Sequence, residues 1–167
     1  MSNDSTVFIC FDATEMAISI QSAFEELKRS FTRRKVAKPH PSWITVETIG
    51  GSPPKVLRIE LFSDKVSVAA ESQEMAMAIK RHDATSEQIE RLRQATARFE
   101  VTWNTQAYKS LFADVPDLIV EEIEIVQEVV AVLVNFVGGV PVLNGYVVLP
   151  LDRDDDLDRA TALIVGE

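Results

Sequence analysis

VVAVLVNFVGGVPVLNGYVVLPL, from Val129 to Leu151, contains no charged side chain. A membrane-spanning helix needs about 20 consecutive apolar residues, so the run is long enough to be weighed as a span. Its interior argues otherwise. Gly138-Gly139 is a natural helix stop, because glycine accepts the left-handed backbone of a C-terminus, and Pro141 follows closely. Beyond it, Asn144-Gly145 separates VPVL from YVVL, the strongest short hairpin signal. Upstream, in DVPDLIVEEIEIVQE, Asp114 can cap a helix and Pro116 can sit in its first turn, where a missing N–H costs nothing. Glu121, Glu122, Glu124 and Glu128 interrupt the apolar residues there. The stretch predicts a helix over Asp117–Val137 handing its apolar end to a core hairpin. No membrane is needed.

Working outward, TVFICF (Thr6–Phe11) reads as a buried strand. Asp12 and Glu15 have capping-box spacing, and Met16, Ile20, Ala23, Phe24, Leu27 and Phe31 follow at helical intervals, predicting a helix from Ala13 to Arg34. KPHP (Lys38–Pro41) would end it. Three strands of a meander are expected next, at Ser42–Ile49, Lys55–Phe62 and Lys65–Ala70, with GGSPP (Gly50–Pro54) as a connection. In the middle strand Leu57, Ile59 and Leu61 alternate with Arg58 and Glu60, the pattern of a sheet with one wet face. A helical stretch over Gln73–His82, a second opened by Thr85 with Gln88, and a strand over Arg98–Trp103 complete the order. The expected fold is a single α+β domain over 1–167: a two-layer sandwich of a mostly antiparallel sheet with helices packed on one face. Residues 1–5 read as a flexible N-terminus and 152–167 as an acidic tail or short helix. Phe99, Val101, Trp103, Leu57, Ile59, Leu61, Ile9, Val130 and Leu133 are the expected core.

The chain has 167 residues and a net charge of −9, which argues against a general nucleic-acid binder. Its charge is uneven: Lys28, Arg29, Arg33, Arg34, Lys35 and Lys38 lie in one run free of acids. A single cysteine, Cys10, permits no internal disulfide. The polar, acidic opening MSNDST lacks the look of a secretory signal, so a cytoplasmic protein is expected.

No motif names an activity. His40 stands between two prolines and His82 near a helix end, neither beside a nucleophile. Cys10 within FICF reads as a small buried hydrophobe. Two histidines and one cysteine, widely spaced, form no zinc motif. Asp152, Asp154, Asp156 and Asp158 resemble half a calcium loop, but Leu157 and Leu163 stand where that loop needs glycine and glutamate. GGSPP lacks the lysine of a phosphate loop. The expectation is therefore a binder rather than an enzyme, with no cofactor and no metal: a small acidic module of the inhibitor, immunity, chaperone or adaptor type. Its partner would be a protein, basic in character, or a second copy of the chain. The candidate contact residues are Lys28, Arg29, Arg33, Arg34, Lys35 and Lys38, with Glu121, Glu122 and Glu124. The alternative is a small-molecule-binding or hydrolytic domain using carboxylates in a cleft between sheet and helices.

Overall fold

VFICF has no alternation of apolar and polar residues, and the reason is its position. In the computed structural model, which describes residues 4–47, 56–104 and 116–149, the strand β1 (Asp4–Phe11) lies inside the sheet and is covered on both faces. It is followed by α1 (Ile20–Ser30), β2 (Lys35–His40), β3 (Trp43–Glu47), β4 (Val56–Phe62), α2 (Lys65–Lys80) and α3 (Ser86–Arg93). Then come β5 (Ala97–Asn104), α4 (Pro116–Val137), β6 (Val140–Leu143) and β7 (Val147–Val148). The strand order is β2-β3-β4-β5-β1-β6-β7, antiparallel throughout. The α+β class and the antiparallel sheet are as expected.

The layering is fuller than expected. Val7, Ile9 and Phe11 of β1 join Leu57, Ile59, Phe99 and Val101 in a core closed by Ala23 and Leu27 of α1 and by Val126, Val130 and Leu133 of α4. Cys10, on the opposite side of β1, packs with Val140, Val142, Met75, Ile79 and Leu92 in a second core under α2 and α3. Helices thus lie on both faces, where one face was expected. The second pair rests on β5, β1, β6 and β7, and among the described residues it leaves the same face of β2, β3 and β4 open.

Several boundaries differ from the sequence expectation, each for a local reason. Asp12 does not cap a helix. Its carboxylate accepts from the Thr14 N–H (3.0 Å) and hydroxyl and from the Thr96 hydroxyl (3.5 Å), tying the turn to the start of β5. Those bonds, first the Thr14 hydroxyl and then the Thr14 N–H, hold Asp12 below the usual carboxylate range. The capping box of α1 is instead Ser19 with Ser22. The helix ends at Ser30, before most of the basic run, and KVAKPH becomes a strand with Val36 turned to the core. KVSVAA is helical rather than a third meander strand, because Asp64 accepts from the Val66 and Ser67 N–H groups and caps α2. The meander is therefore β2-β3-β4.

The opening stretch behaves as expected. No described helix is long and apolar enough to cross a membrane. α4 ends at Val137; Gly138 takes φ +68°, and its N–H donates to the Val134 carbonyl at 2.7 Å. Gly139 is held by space: a Cβ there would lie 2.7 Å from Ile9 Cγ2 and 3.1 Å from the Cys10 carbonyl oxygen. Asn144 (φ 52°) and Gly145 (φ 84°) make the hairpin turn, closed by the Tyr146 N–H on the Leu143 carbonyl. Among the expected core residues, all are buried except Leu61, which is partly so. GGSPP, the Asp114 cap and the acidic tail lie outside the described residues.

Candidate functional site

On the side of the sheet turned away from α1 and α4, alternate residues of neighbouring strands line up in rows. Register pairs Trp43 with Glu60, Glu60 with Glu100, and Glu100 with Phe8, so these four cross β3, β4, β5 and β1 in one line. Each position follows from strand period two: the partners Ile44, Ile59, Phe99 and Val7 fill the core on the other side. Like charges directly opposite, as Glu60 and Glu100 are, destabilise a sheet. Here each has its own arginine: Arg58 Nε is 2.8 Å from Glu60 and Arg98 Nε is 2.8 Å from Glu100.

Two cation–aromatic stacks flank the row. The His40 ring lies 3.9 Å from that of Trp43 and within 4° of parallel, and the Arg58 guanidinium carbon is 4.0 Å from the Trp43 ring centre. Two groups that close cannot share one side of a ring, so the indole is held between them. His40 is itself oriented by its Nδ1, which accepts from the Ser42 N–H at 3.0 Å. Further along, Arg98 lies 5.4 Å from the rings of both Phe8 and Phe62, and its Nη1 meets Glu71 of α2 at 2.5 Å.

Where the row reaches Phe8, a groove of about 350 Å³ opens between α2 and the β6–β7 turn. Glu71, Met75 and Ala78 recur at i, i+4 and i+7, so one side of α2 forms its wall, with Glu74 beside them; Phe8, Asn144 and Gly145 complete it. The turn side is braced, since Asn144 Oδ1 accepts from the Thr6 N–H (3.0 Å) and the Asn144 N–H donates to the Thr6 carbonyl (2.8 Å).

The basic run is partly neutralised within the fold. Arg29 pairs with Glu26, Arg34 with Glu128 at 3.0 Å, and Lys35 with Glu47 at 3.7 Å. Lys28 and Lys38 flank the Phe24 ring at 5.3 and 6.0 Å, Lys38 also meets Gln21, and Arg33 is exposed. Half of the run is thus paired with acids of the same fold. Glu121, Glu122 and Glu124 belong to α4, but their side chains lie outside the described residues. Asp152, Asp154, Asp156 and Asp158 lie outside them altogether.

Cys10 is buried, and burial pushes its thiol up to about 12, against the smaller opposing effects of Arg98 and Ser72. A thiol so far from ionising is a poor nucleophile at neutral pH. His82 packs on Tyr146 at 5.2 Å. Among the described residues no group of three or more His, Cys, Asp or Glu is placed to hold a metal ion. Sequence reasoning missed Trp43, His40 and Arg58 as a unit, the Glu60–Glu100 pairing, and the Glu71–Glu74 groove. The alternation on β4 signalled a wet face, but not what would stand beside it.

Comparison with protein-family models, curated proteins and solved structures finds no match for this chain.

Proposed function

We propose that the chain is a protein-binding module and that its contact surface is the open face of β2, β3 and β4. The observation that carries this reading is the braced Trp43 stack on a sheet half that no described helix covers. Tryptophan and arginine are the residue types that most often dominate binding energy at protein interfaces, and side chains already held in place lose little freedom on binding. Val56 and Phe62, exposed by 43% and 37%, add apolar area at the margin. The sheet edges are poor alternatives: β2 carries Lys35, Lys38 and Pro39, and β7 is two residues long.

Nucleic acid suits this face less well. A stacking platform needs a free aromatic surface, whereas His40 and Arg58 cover Trp43, and Glu47, Glu60 and Glu100 repel phosphate. For the enzymatic alternative, the carboxylates of the row are already bonded to arginines and the groove is open rather than enclosed.

The test is capture of a protein from native extract by the full chain, repeated with Thr45→Lys and Arg58→Ala. Thr45 is half-buried on the open face and contributes nothing to the core. Both variants should stay folded with a modestly lowered melting temperature, since each leaves like charges opposite one another in the sheet, and should lose the captured protein, while Glu87→Gln on α3 should retain it. Undiminished capture by Thr45→Lys and Arg58→Ala would refute the reading.

A further inference from the structure

We infer that the groove between α2 and the β6–β7 turn seats one basic side chain, arginine or lysine, of the bound protein; this rests on the protein-binding reading above. The groove has two chemically distinct parts. Phe8, Met75 and Ala78 offer an apolar bed for an aliphatic stem, and Glu71 and Glu74 stand beside it for a cationic head. Its volume is at the small end of the roughly 300–1,000 Å³ typical of ligand sites, which suits a single side chain. The Phe8 ring adds a favourable surface for a cation.

Charge balance points the same way. Arg98 is shared between Glu71 and Glu100, and Glu74 forms no ion pair among the described residues. Glu71 and Glu100 therefore share one guanidinium, while Glu74 on the groove wall has no cation of its own among those residues. Arginine or lysine entering the groove supplies the missing positive charge, whereas an acidic group would add to the excess. The chain's net charge of −9 draws basic partners toward it in general. The groove is also on the same side of the sheet as the contact face, because Phe8 ends the row that begins at Trp43. Three strand spacings separate those residues, about 14 Å at ~4.8 Å each.

The experiment follows backbone amides of the isotope-labelled full chain by NMR during titration with blocked arginine (N-acetyl-arginine amide). Blocked lysine forms a second arm and blocked norleucine the uncharged control. Saturable shifts are expected at Met75, Ala78, Asn144 and Gly145 with both cations and not with norleucine. Glu74→Gln should weaken them by about fivefold, the scale of one partly exposed ion pair. Ala78→Leu, which fills the groove with a good helix former and leaves every charge in place, should abolish them. Absence of saturable shifts, shifts spread over the acidic surface, or unchanged binding in both variants would overturn the inference. A failure here beside loss of capture by Thr45→Lys removes the groove assignment alone. Failure of both experiments removes the protein-binding reading as well.

Discussion

Arg98 joins four elements through one side chain: Glu71 of α2, Glu100 of its own strand, and the rings of Phe8 on β1 and Phe62 on β4. Its residue exposure is only 7%. Burial works against its charge, but the hydrogen bond and charge of Glu100, and then those of Glu71, outweigh that and hold its pKa above the ordinary arginine value. A raised folded-state value stabilises at every pH below the unfolded one and is lost only as pH climbs past the folded one. The contribution is therefore constant through the neutral range. Removing one member of a buried ion pair costs about 3–5 kcal/mol. Glu71, half exposed, can regain water, so Arg98→Ala should lower unfolding stability by about 3 kcal/mol in urea titration. Arg98→Lys should lose less, because it keeps the charge without the fork that serves two carboxylates. A loss below about 1 kcal/mol for Arg98→Ala would mean that the cluster is not holding these elements together.

At the scale of elements, local chemistry decides wherever both partners lie within a few residues. Thr85 and Gln88 form the expected capping box of α3, with Gln88 N–H to Thr85 Oγ1 at 3.1 Å and Thr85 N–H to Gln88 Oε1 at 2.9 Å. The element whose sequence pattern and fold disagree is α2. In KVSVAA two valines two apart suggest a strand, yet on a helix such residues fall on nearly opposite sides. Val66 is 81% exposed and Val68 fully buried, as that geometry requires. The deciding residue is Asp64, whose carboxylate takes two N–H groups of the first turn. Asp64→Ala should cost about 1 kcal/mol by thermal or urea unfolding, and Asp64→Asn most of that less. Equal stability of Asp64→Ala and wild type would show that tertiary packing alone sets the helix start. A similar contest placed α1: Asp12 took Thr14 and Thr96 as partners and left the cap to Ser19. Because those bonds lower the Asp12 pKa, whatever they contribute is present above the ordinary carboxylate value and fades as pH falls through the lowered one.

Across the whole molecule, β1 and β5 sit between two helical layers while β2 and β7 form the margins. Hydrogen exchange should therefore be slowest for the paired amides of β1 and β5 and fastest for those of β2 and β7. Comparable protection of β2 and β1 would contradict this layering. By itself the sequence determined those parts whose causes are local: the Thr85–Gln88 start, the Gly138-Gly139 stop, the Asn144-Gly145 turn, and the wet face announced by Arg58 and Glu60. It even carried the sign of two cores, since VFICF has no wet side and KVLRIELF has one. The tertiary structure alone decided that Glu60 faces Glu100, that Trp43 lies between His40 and Arg58, and that α2 meets the hairpin turn beside Phe8. Strand neighbours come from tens of residues apart, and their register is chosen by the summed packing of both faces, which no short stretch of sequence contains.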